Sequence, residues 1–364
     1  MPGNKKYVKM ERSATSIILI PPLLGINDLP ETRRIEVGLQ RLFRELHDND
    51  DIEVKEARDI TVGWEAKIYS FILIKGNDST KMVARVYNGV NSSVRAEREF
   101  EVMNSLRRAG YPAAEVYIDC GDSDFIGAPF IVMEMFTGGS MMDKFMAVNP
   151  EKWNAFLPEF SGLYAQLHKI SPRKAIPWKR SYRSTKGRIR ARIKELEFDA
   201  RDAEITVLQE VFTWLKKRLH EVENMPLSII HQDFHPGNIM YRSDGSAGVI
   251  DWSGVDIGDP REDLSWTKVL ASSHFDSALG DAFTSGYQTA TGWKIKNLEY
   301  FEVLAILRRL EDYLRVVANG AEKSGMRSEI MEIMKSNRSH YSRLLERLHE
   351  LTGIETKQIE ATFR

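Results

Sequence analysis

The sequence predicts an α+β protein in two lobes, a small lobe of antiparallel strands plus one helix and a larger, mainly helical lobe. The chain has 364 residues, a length that usually divides into two compact parts. Short β-branched and aliphatic runs separated by turn residues occupy residues 51–137, whereas apolar residues at helical spacing dominate residues 138–364. Residues 1–50 form an N-terminal extension that ends in a helix.

The composition is that of an ordinary soluble globular protein, with 42% hydrophobic and 28% charged residues. A formal net charge of -1 provides no bulk field for nucleic acid or for an anionic membrane, so we expect neither as a partner. Cys120 is the only cysteine, which excludes an intramolecular disulfide and fits a reducing compartment such as the cytoplasm. The composition does not indicate an oligomeric state.

The extension contains an apolar run, Ile17–Leu24, that follows several basic residues. This run resembles a signal peptide, but Pro21 and Pro22 interrupt it, and it is far shorter than the roughly 20 residues that span a bilayer. We therefore expect a segment packed on the surface of the fold. A helix is predicted at residues 31–47, where apolar side chains recur at helical spacing, namely Ile35, Leu39, Leu42, Phe43 and Leu46.

The small lobe is predicted to begin with an antiparallel meander. Its turn signals are Gly63 and Gly76–Asp78. They separate three apolar runs, Asp59–Val62, Ile68–Ile74 and Met82–Tyr87.

A helix follows the meander, with three candidate N-caps, Asn91, Ser92 and Ser93. Its predicted buried face consists of Phe100, Met103 and Leu106. Gly110 and Pro112 stop the helix. Two further strands are predicted at Ala114–Ile118 and Phe130–Met135, and the small lobe ends at Thr137–Gly139. In the larger lobe, periodic runs at 191–222 and 297–317 predict long helices.

Polar residues are crowded between two short apolar runs in residues 227–263, which read LSIIHQDFHPGNIMYRSDGSAGVIDWSGVDIGDPRED. Buried polar groups are costly unless they bind something. Asn238–Tyr241 and Ala247–Asp251 are predicted to be strands of a hairpin with its turn at Arg242–Ser246, so Asn238 and Asp251 should lie close together. An amide oxygen beside a carboxylate suits Mg²⁺ when phosphates and water supply its other ligands.

The stretch His231–Asn238 resembles the kinase catalytic-loop pattern H-x-D-x-x-x-x-N, and Asp251 stands where protein kinases carry the aspartate of D-F-G. The form HQDFHPGN followed by IDWSGVDIGDPREDLSW is most similar to the aminoglycoside phosphotransferase and choline kinase group. The resemblance covers roughly residues 55–320. It implies a two-lobed protein kinase-like fold and transfer of the γ-phosphoryl group of ATP or GTP to a small-molecule hydroxyl.

Position by position, the resemblance makes Asp233 the catalytic base and makes Asn238 and Asp251 the ligands of Mg²⁺. His231 would brace the loop by hydrogen bonding. His235 would shape the loop and line the acceptor site.

In the small lobe, the resemblance places Arg85 where protein kinases carry the phosphate-binding lysine. Arginine can replace lysine at this position because its guanidinium also binds phosphate. Glu99 is its natural helix partner, with Glu97 as a rival. A glycine-rich phosphate loop is missing, since residues 61–66 contain one glycine. Main-chain groups of the linker would bind the nucleobase, through Met133, Glu134, Met135 and Phe136.

Two charged clusters have alternative interpretations. Asp259, Glu262 and Asp263 are candidate contacts for a cationic substrate, although in this group such residues usually support the active site from behind. A basic cluster would bind a polyanion or form a solvated helix face, and it consists of Lys179, Arg180, Arg183, Lys186, Arg188, Arg190, Arg192 and Lys194.

The chain is therefore interpreted as a Mg²⁺-dependent small-molecule kinase whose acceptor the sequence does not identify. One alternative is a protein kinase, which is disfavoured because no A-P-E triplet or long activation segment follows Asp251. The other is a nucleotide-binding kinase homologue without catalysis, which Arg85 and the sparse glycines favour and the intact Asp233 opposes.

Overall fold

The structure, a computed structural model, describes residues 8–10, 29–61, 66–89, 91–121, 124–176, 184–320 and 330–362. It divides the chain into two compact units. The first comprises residues 1–138 and 241–253, and the second comprises residues 139–240 and 254–364. The apolar run Ile17–Leu24 lies outside the described residues.

The first unit is built on a six-stranded sheet with the strand order β1-β5-β6-β4-β3-β2. The strands are β1 (Val8–Met10), β2 (Glu53–Asp59), β3 (Ala66–Lys75), β4 (Asp78–Tyr87), β5 (Val116–Cys120) and β6 (Phe130–Glu134). Their pairing is antiparallel except for the edge strand β1, which pairs in parallel with β5. The α+β class and the antiparallel meander predicted from the sequence are confirmed, whereas β1 was not predicted.

The first predicted strand was placed wrongly, because β2 ends at Asp59, where the prediction began a strand. A carboxylate oxygen of Asp59 accepts a hydrogen bond from Thr61 N–H over 2.8 Å, which turns the chain out of the strand. Within β2 the register shifts between Lys55 and Arg58, and Glu56 takes a positive φ of 56°. This bulge breaks the alternation of buried and exposed residues that identifies a strand in sequence.

The helix predicted at residues 31–47 is present as α1 (Glu31–His47) and ends in a left-handed Asp48. The sequence assigned this helix to a surface extension, but its apolar face forms part of the core of the first unit. Four of its side chains join a buried cluster with residues of β2, β3, β4 and β6, namely Ile35, Leu39, Leu42 and Phe43. In the described part of the first unit there are therefore two helices, whereas the sequence assigned one helix to the small lobe and the other to an extension.

The second of these helices is α2 (Ser92–Arg108), which begins after Asn91 and has Gly110 in a left-handed conformation just beyond its end. The predicted inward residues are buried, namely Phe100, Met103 and Leu106. Glu99 lies among them with 2% of its surface exposed, which requires a polar partner.

The second unit is mainly helical, as predicted. Its longer helices are α4 (Leu157–Lys169), α6 (Thr185–Asp202), α7 (Gln209–Arg218), α8 (Pro260–His274), α9 (Ser277–Thr291), α10 (Leu298–Asn319) and α12 (Arg338–Thr352). Shorter ones are α3 (Met141–Met146), α5 (Pro172–Ala175), α11 (Ile330–Ser336) and α13 (Lys357–Ala361). The run predicted at 191–222 is divided between α6 and α7, whereas the run at 297–317 is the single helix α10. Helix α8 packs against α9, α10 and α12.

Short strands position the segment that carries the polar residues. In the second unit, β7 (Ser228–Ile230) pairs antiparallel with β10 (Asp256–Gly258). The remaining strands are β8 (Ile239–Tyr241) and β9 (Ala247–Val249), and the turn predicted at Arg242–Ser246 is closed by Arg242 N–H donating to Ser246 O over 2.9 Å. Among the residues that the structure describes, no helix has the length and apolar character needed to cross a bilayer.

Candidate active site

The loop His231–Asn238 follows β7 in the second unit, and one face of α8 holds its backbone. Asp263 accepts two backbone hydrogen bonds, from His231 N–H at 2.7 Å and from Gln232 N–H at 2.6 Å. One helical turn later, the Thr267 hydroxyl donates to Phe234 O over 2.6 Å. Residues four apart share a face of a helix, so α8 fixes both halves of the loop.

The carboxylate of Asp233 lies on this loop with 41% of its side-chain surface exposed. Its Oδ1 accepts a hydrogen bond from the indole Nε1–H of Trp266 over 2.8 Å. Its Oδ2 lies 3.3 Å from Asn238 Nδ2 and 3.5 Å from His235 Nε2. Asn238 Nδ2 also donates to the carbonyl oxygen of Asp233 over 2.8 Å, which ties the two ends of the loop together.

Burial alone would raise the pKa of Asp233, but the neighbouring groups lower it below the usual value for an aspartate. The largest opposing effects are the charge that His235 carries when it is protonated and the hydrogen bond of this ring, followed by the Trp266 hydrogen bond and the charge of Arg308. Asp233 is therefore an ionised hydrogen-bond acceptor at neutral pH.

His235 faces Asp233 as a donor. Its Nδ1 accepts a hydrogen bond from Gly237 N–H over 3.0 Å, so the neutral ring carries its proton on Nε2. Because Nε2 is the atom that faces the carboxylate, this tautomer stabilises an ionised Asp233 and leaves His235 without a basic nitrogen on that side. This geometry favours Asp233 over His235 as the base.

His231 is fully buried and braces the loop from within. Its Nδ1 accepts from Asp233 N–H over 3.3 Å, and its ring meets Phe234 edge to face. Gln232, between them in sequence, takes a left-handed φ of 69°, which positions the backbone for these contacts at some cost in strain.

The first unit contains a buried cluster around Arg85. The predicted pairing with Glu99 is confirmed, since Arg85 Nε lies 3.3 Å from Glu99 Oε2. Arg85 Nη2 also donates to Asp251 Oδ1 over 2.8 Å. Glu99 is further held by the hydroxyl of Tyr87 at 2.6 Å and by Trp252 N–H at 3.2 Å.

Burial raises the pKa of Glu99, with the charge of Asp251 acting in the same direction and that of Arg85 opposing both. Arg85 therefore offsets part of the cost of burying the Glu99 carboxylate. Asp251 itself takes a left-handed φ of 64°, and Ser253 Oγ donates to its Oδ1 over 3.1 Å. A non-glycine residue held in this conformation is typical of a functional site.

Met133 and Glu134, the first two residues of the linker that was predicted to bind a nucleobase, are the last two residues of β6. Glu134 N–H donates to Glu115 O within the sheet. The Glu134 carboxylate receives two hydrogen bonds from Arg242, at 2.7 and 2.8 Å, and the Arg242 guanidinium stacks on the ring of Phe136. The side chains of Glu134 and Phe136 are thus occupied within the protein, and nucleobase binding by main-chain groups of this linker stays a prediction.

The predicted phosphate-contacting turn at residues 61–66 lies mostly outside the described residues, since Val62 to Glu65 are not described. In the basic cluster, Lys179, Arg180 and Arg183 are likewise outside the described part of the chain. Arg188 is buried and pairs with Asp256 and Glu262, so it is not part of a polyanion-binding surface.

The three candidate substrate carboxylates support the fold. Asp259 is fully buried, caps α8, and binds the guanidinium of Arg261 and the hydroxyl of Thr185. Glu262 completes the capping box of α8, and Asp263 is fully buried beneath the loop. These contacts favour the supporting role over contact with a cationic substrate.

Two residues that contact the loop or its aspartate were missed by the sequence reasoning, Trp266 and Arg308. Trp266 lies three residues after Asp263 on α8 and reaches the carboxylate of Asp233 directly. Arg308, on α10, donates to Gln232 O over 2.7 Å. The helical spacing of Asp263, Trp266 and Thr267 offered a signal for Trp266, but nothing in the sequence connected Arg308 to a loop 70 positions earlier.

The residues predicted to hold Mg²⁺ are oxygen donors of the right chemistry. The amide nitrogen of Asn238 is used for Asp233, which leaves its carbonyl oxygen as the atom suited to a metal ion. In the first unit, Asp251 has a carboxylate of the same suitability. No group of three or more His, Cys, Asp or Glu side chains suited to a metal is found among the described residues. Mg²⁺ bound together with substrate phosphates needs only one or two protein carboxylates.

Residues 56–331 match the model of the phosphotransferase enzyme family. Among curated proteins, the chain is 24% identical over 190 residues to acyl-CoA dehydrogenase family member 10 of Mus musculus, a match that covers 47% of this chain and 16% of that protein. It is 26% identical over 188 residues to family member 11 of Homo sapiens, covering 46% and 22%. The matched part of the chain thus spans about a fifth of these relatives' length.

Solved structures share the fold at low identity. A putative aminoglycoside phosphotransferase from Ralstonia eutropha superposes with a TM-score of 0.58 at 18% identity, covering 85% of this chain and 98% of that one. The ADP-bound aminoglycoside phosphotransferase APH(2'')-Ib gives a TM-score of 0.54 at 17% identity, covering 86% and 98%. The protein kinase-like fold predicted from the sequence is confirmed.

Proposed function

Because this chain belongs to the phosphotransferase enzyme family, we propose that it is a Mg²⁺-dependent kinase that transfers the γ-phosphoryl group of ATP or GTP to a hydroxyl of a small molecule. The observation that carries the proposal is the state of Asp233. This carboxylate is accessible and ionised at neutral pH, and it stands on a loop whose backbone is fixed at three points. Such a group is suited to accept the proton of an alcohol.

In the proposed reaction, Asp233 Oδ2 accepts a hydrogen bond from the acceptor hydroxyl and aims its oxygen at the γ-phosphorus. The acceptor oxygen forms a bond to phosphorus while the bond from phosphorus to the bridging oxygen breaks, and that electron pair leaves on the nucleoside diphosphate. The acceptor O–H bond breaks and its proton passes to Asp233. Positioning and electrostatic stabilisation supply most of the rate enhancement in such transfers.

The remaining roles are assigned by residue chemistry. Arg85 would contact phosphate oxygens through its guanidinium. Asn238 and Asp251 would hold Mg²⁺, which when bound neutralises charge on the phosphates. The nucleobase would bind at Met133–Phe136. A cytoplasmic location is proposed from the single cysteine, Cys120, which is buried.

The acceptor class is tested directly by a panel of hydroxylated compounds. One structural neighbour is a complex of APH(4)-Ia with AMP-PNP and hygromycin B, so the panel includes aminoglycosides together with sugars, amino-acid alcohols, choline-like alcohols and hydroxy acids. Purified protein with Mg²⁺-ATP is incubated with each compound, and phosphorylated product is detected by mass spectrometry. A peptide library serves as the comparison for a protein kinase.

Asp233→Asn separates catalysis from nucleotide binding. The change keeps the shape of the side chain and removes the proton acceptor, so transfer should fall roughly 10²- to 10⁴-fold. Affinity for Mg²⁺-ATP, measured by calorimetry on the same variant, should stay within about threefold. Turnover retained with ATP affinity lost would make Asp233 a metal ligand and refute its role as the base. A wild-type protein that binds ATP but phosphorylates nothing would favour a nucleotide-binding homologue without catalysis.

A further inference from the structure

The two oxygens of Asp233 have different environments. Oδ1 is engaged by Trp266 Nε1–H at 2.8 Å, whereas the contacts of Oδ2 with Asn238 and His235 are longer, at 3.3 and 3.5 Å. An indole N–H only donates and does not ionise at physiological pH, so it holds one oxygen without competing for the proton that the other must take.

Trp266 is itself held in place from two sides. Its backbone position on α8 lies between Asp263 and Thr267, the two residues that bind the loop backbone. The guanidinium of Arg308 lies over its ring, with the Cζ atom 4.1 Å from the ring centroid. With 5% of its surface exposed, the indole has little freedom to turn.

Arg308 also acts on the backbone immediately before Asp233. Its Nη1 donates to Gln232 O over 2.7 Å, and Gln232 is the residue that takes the left-handed φ of 69°. Asp263 Oδ1 accepts from the N–H of the same residue at 2.6 Å. The backbone N–H and C=O of the strained residue Gln232 are therefore both bound by side chains, of α8 and α10 respectively. These contacts set the direction in which the Asp233 side chain leaves the backbone.

We infer that Trp266 and Arg308 are positioning residues for the transfer reaction: Arg308 fixes the Gln232 carbonyl and the Trp266 ring, and Trp266 fixes the Asp233 carboxylate so that Oδ2 faces the acceptor hydroxyl. This inference rests on the proposed function. It assigns a reaction role to an α10 residue that belongs to no catalytic-loop motif. The same contacts restrict the rotation of the carboxylate before substrate binds, which is the form of preorganisation that positioned acid–base catalysis requires.

Trp266→Phe tests the hydrogen bond because it keeps an aromatic ring beneath Arg308 and removes only the N–H and the smaller ring. Trp214→Phe is the matched control, since Trp214 on α7 also lies under an arginine, Arg218, with 5.0 Å from Cζ to the ring centroid. Transfer to water, measured as ADP release, serves as the assay until an acceptor is known. Thermal unfolding of each variant verifies that it is folded.

We expect Trp266→Phe to lower kcat about 10- to 100-fold with KM for ATP within about twofold of wild type, and Trp214→Phe to change neither. Arg308→Lys should retain more of kcat than Arg308→Met, because a cation can still reach the Gln232 carbonyl. Wild-type kcat in a folded Trp266→Phe variant would overturn the inference. If Asp233→Asn lowers transfer in the same assay, the proposed function would still stand although the inference about Trp266 had failed.

A second measurement does not depend on turnover. The protein has seven tryptophans, so seven indole N–H signals are expected in a ¹⁵N-correlated NMR spectrum, and Trp266→Phe identifies one of them by its loss. In Asp233→Ala that signal should shift upfield and exchange faster with solvent, while the Trp214 signal stays in place. A Trp266 signal that does not respond to Asp233→Ala would overturn the inference. A wild-type protein that transfers to neither water nor any acceptor would refute the proposed function and the inference together.

Discussion

Arg85 donates from Nη2 to Oδ1 of Asp251 over 2.8 Å, which joins the last part of strand β4 to the residue proposed as a metal ligand. The Arg85 side chain is 6% exposed, and its Nε atom lies 3.3 Å from Glu99 Oε2. Arginine is always charged and presents its donors in a fixed fork. A buried arginine between two carboxylates therefore balances the negative charge of one and partly offsets that of the other. The cation that is proposed to bind phosphate therefore also holds the residue that is proposed as a metal ligand.

The first prediction concerns Arg85 and the nucleotide. If Arg85 binds the phosphates, Arg85→Ala should weaken ATP binding by about 1.5–3 kcal/mol, the value of a charge-assisted hydrogen bond, while adenosine binding hardly changes. Calorimetry with both ligands on folded variants measures the two effects. An equal loss for ATP and adenosine would show that Arg85 serves only to hold Glu99 and Asp251 in place.

The second prediction concerns Asp251. Asp251→Asn should lower transfer by more than about 10²-fold at saturating Mg²⁺, because an amide replaces the charged oxygen ligand. Stability should change little, since asparagine tolerates the left-handed φ of 64° and can still accept from Arg85. Asp251→Ala should lose transfer too and be less stable by about 1–2 kcal/mol, because alanine is disfavoured at that φ. Wild-type transfer in Asp251→Asn at high Mg²⁺ would refute the metal assignment.

The third prediction is a pH dependence of stability caused by Glu311, a carboxyl on α10 that is 1% exposed. Burial, with Asp312 and Asp199 nearby, raises its pKa to about 8 against the partial opposition of Arg315. Between the ordinary pKa of 4.5 and about 8, the folded protein keeps a proton that the unfolded chain has released. The free energy of unfolding contributed by this group therefore falls as the pH rises, by at most about 1.4 kcal/mol per pH unit.

Glu311→Gln should remove that slope, so the variant gains stability relative to wild type as the pH is raised from 5 to 8. Urea unfolding at several pH values measures the difference. Glu299→Gln, at an exposed position of the same helix, is the control and should run parallel to wild type. A Glu311→Gln curve that also runs parallel to wild type would show that Glu311 is ionised in the folded protein.

The fourth prediction concerns Gly237. A Cβ atom at this position would lie 2.8–2.9 Å from the imidazole ring of His235, closer than real contacts allow, so Gly237→Ala should displace the ring. Because the backbone N–H of Gly237 fixes the His235 tautomer, transfer should fall roughly 10-fold or more. Gly162→Ala on α4 is the control, since its Cβ would meet nothing within 4 Å and should stabilise the helix by about 0.5–1 kcal/mol. Unaltered transfer in Gly237→Ala would show that the orientation of His235 is unimportant.

Local features were predicted well because their signals are contained in short stretches of chain. The loop His231–Asn238 is recognised by residue spacing alone, and the turn at Arg242–Ser246 by its turn chemistry. Helix α1 followed from periodicity, and the Arg85–Glu99 pair followed from the position of each residue in its element. Strand β2 was misplaced because a bulge at Glu56 removes the alternation that would reveal it.

The sequence by itself determined the fold class, the family and the identity of the candidate catalytic and metal-binding residues, since each depends on local spacing. Only the tertiary structure decided that α1 belongs to the core of the sheet unit, that Arg85 also binds Asp251, and that Trp266 and Arg308 hold Asp233 and its loop. Arg308 and Gln232 are 76 positions apart and meet because the packing of α8 and α10 brings them together. Contacts of that kind depend on the summed packing of many side chains, which no short pattern in the sequence encodes.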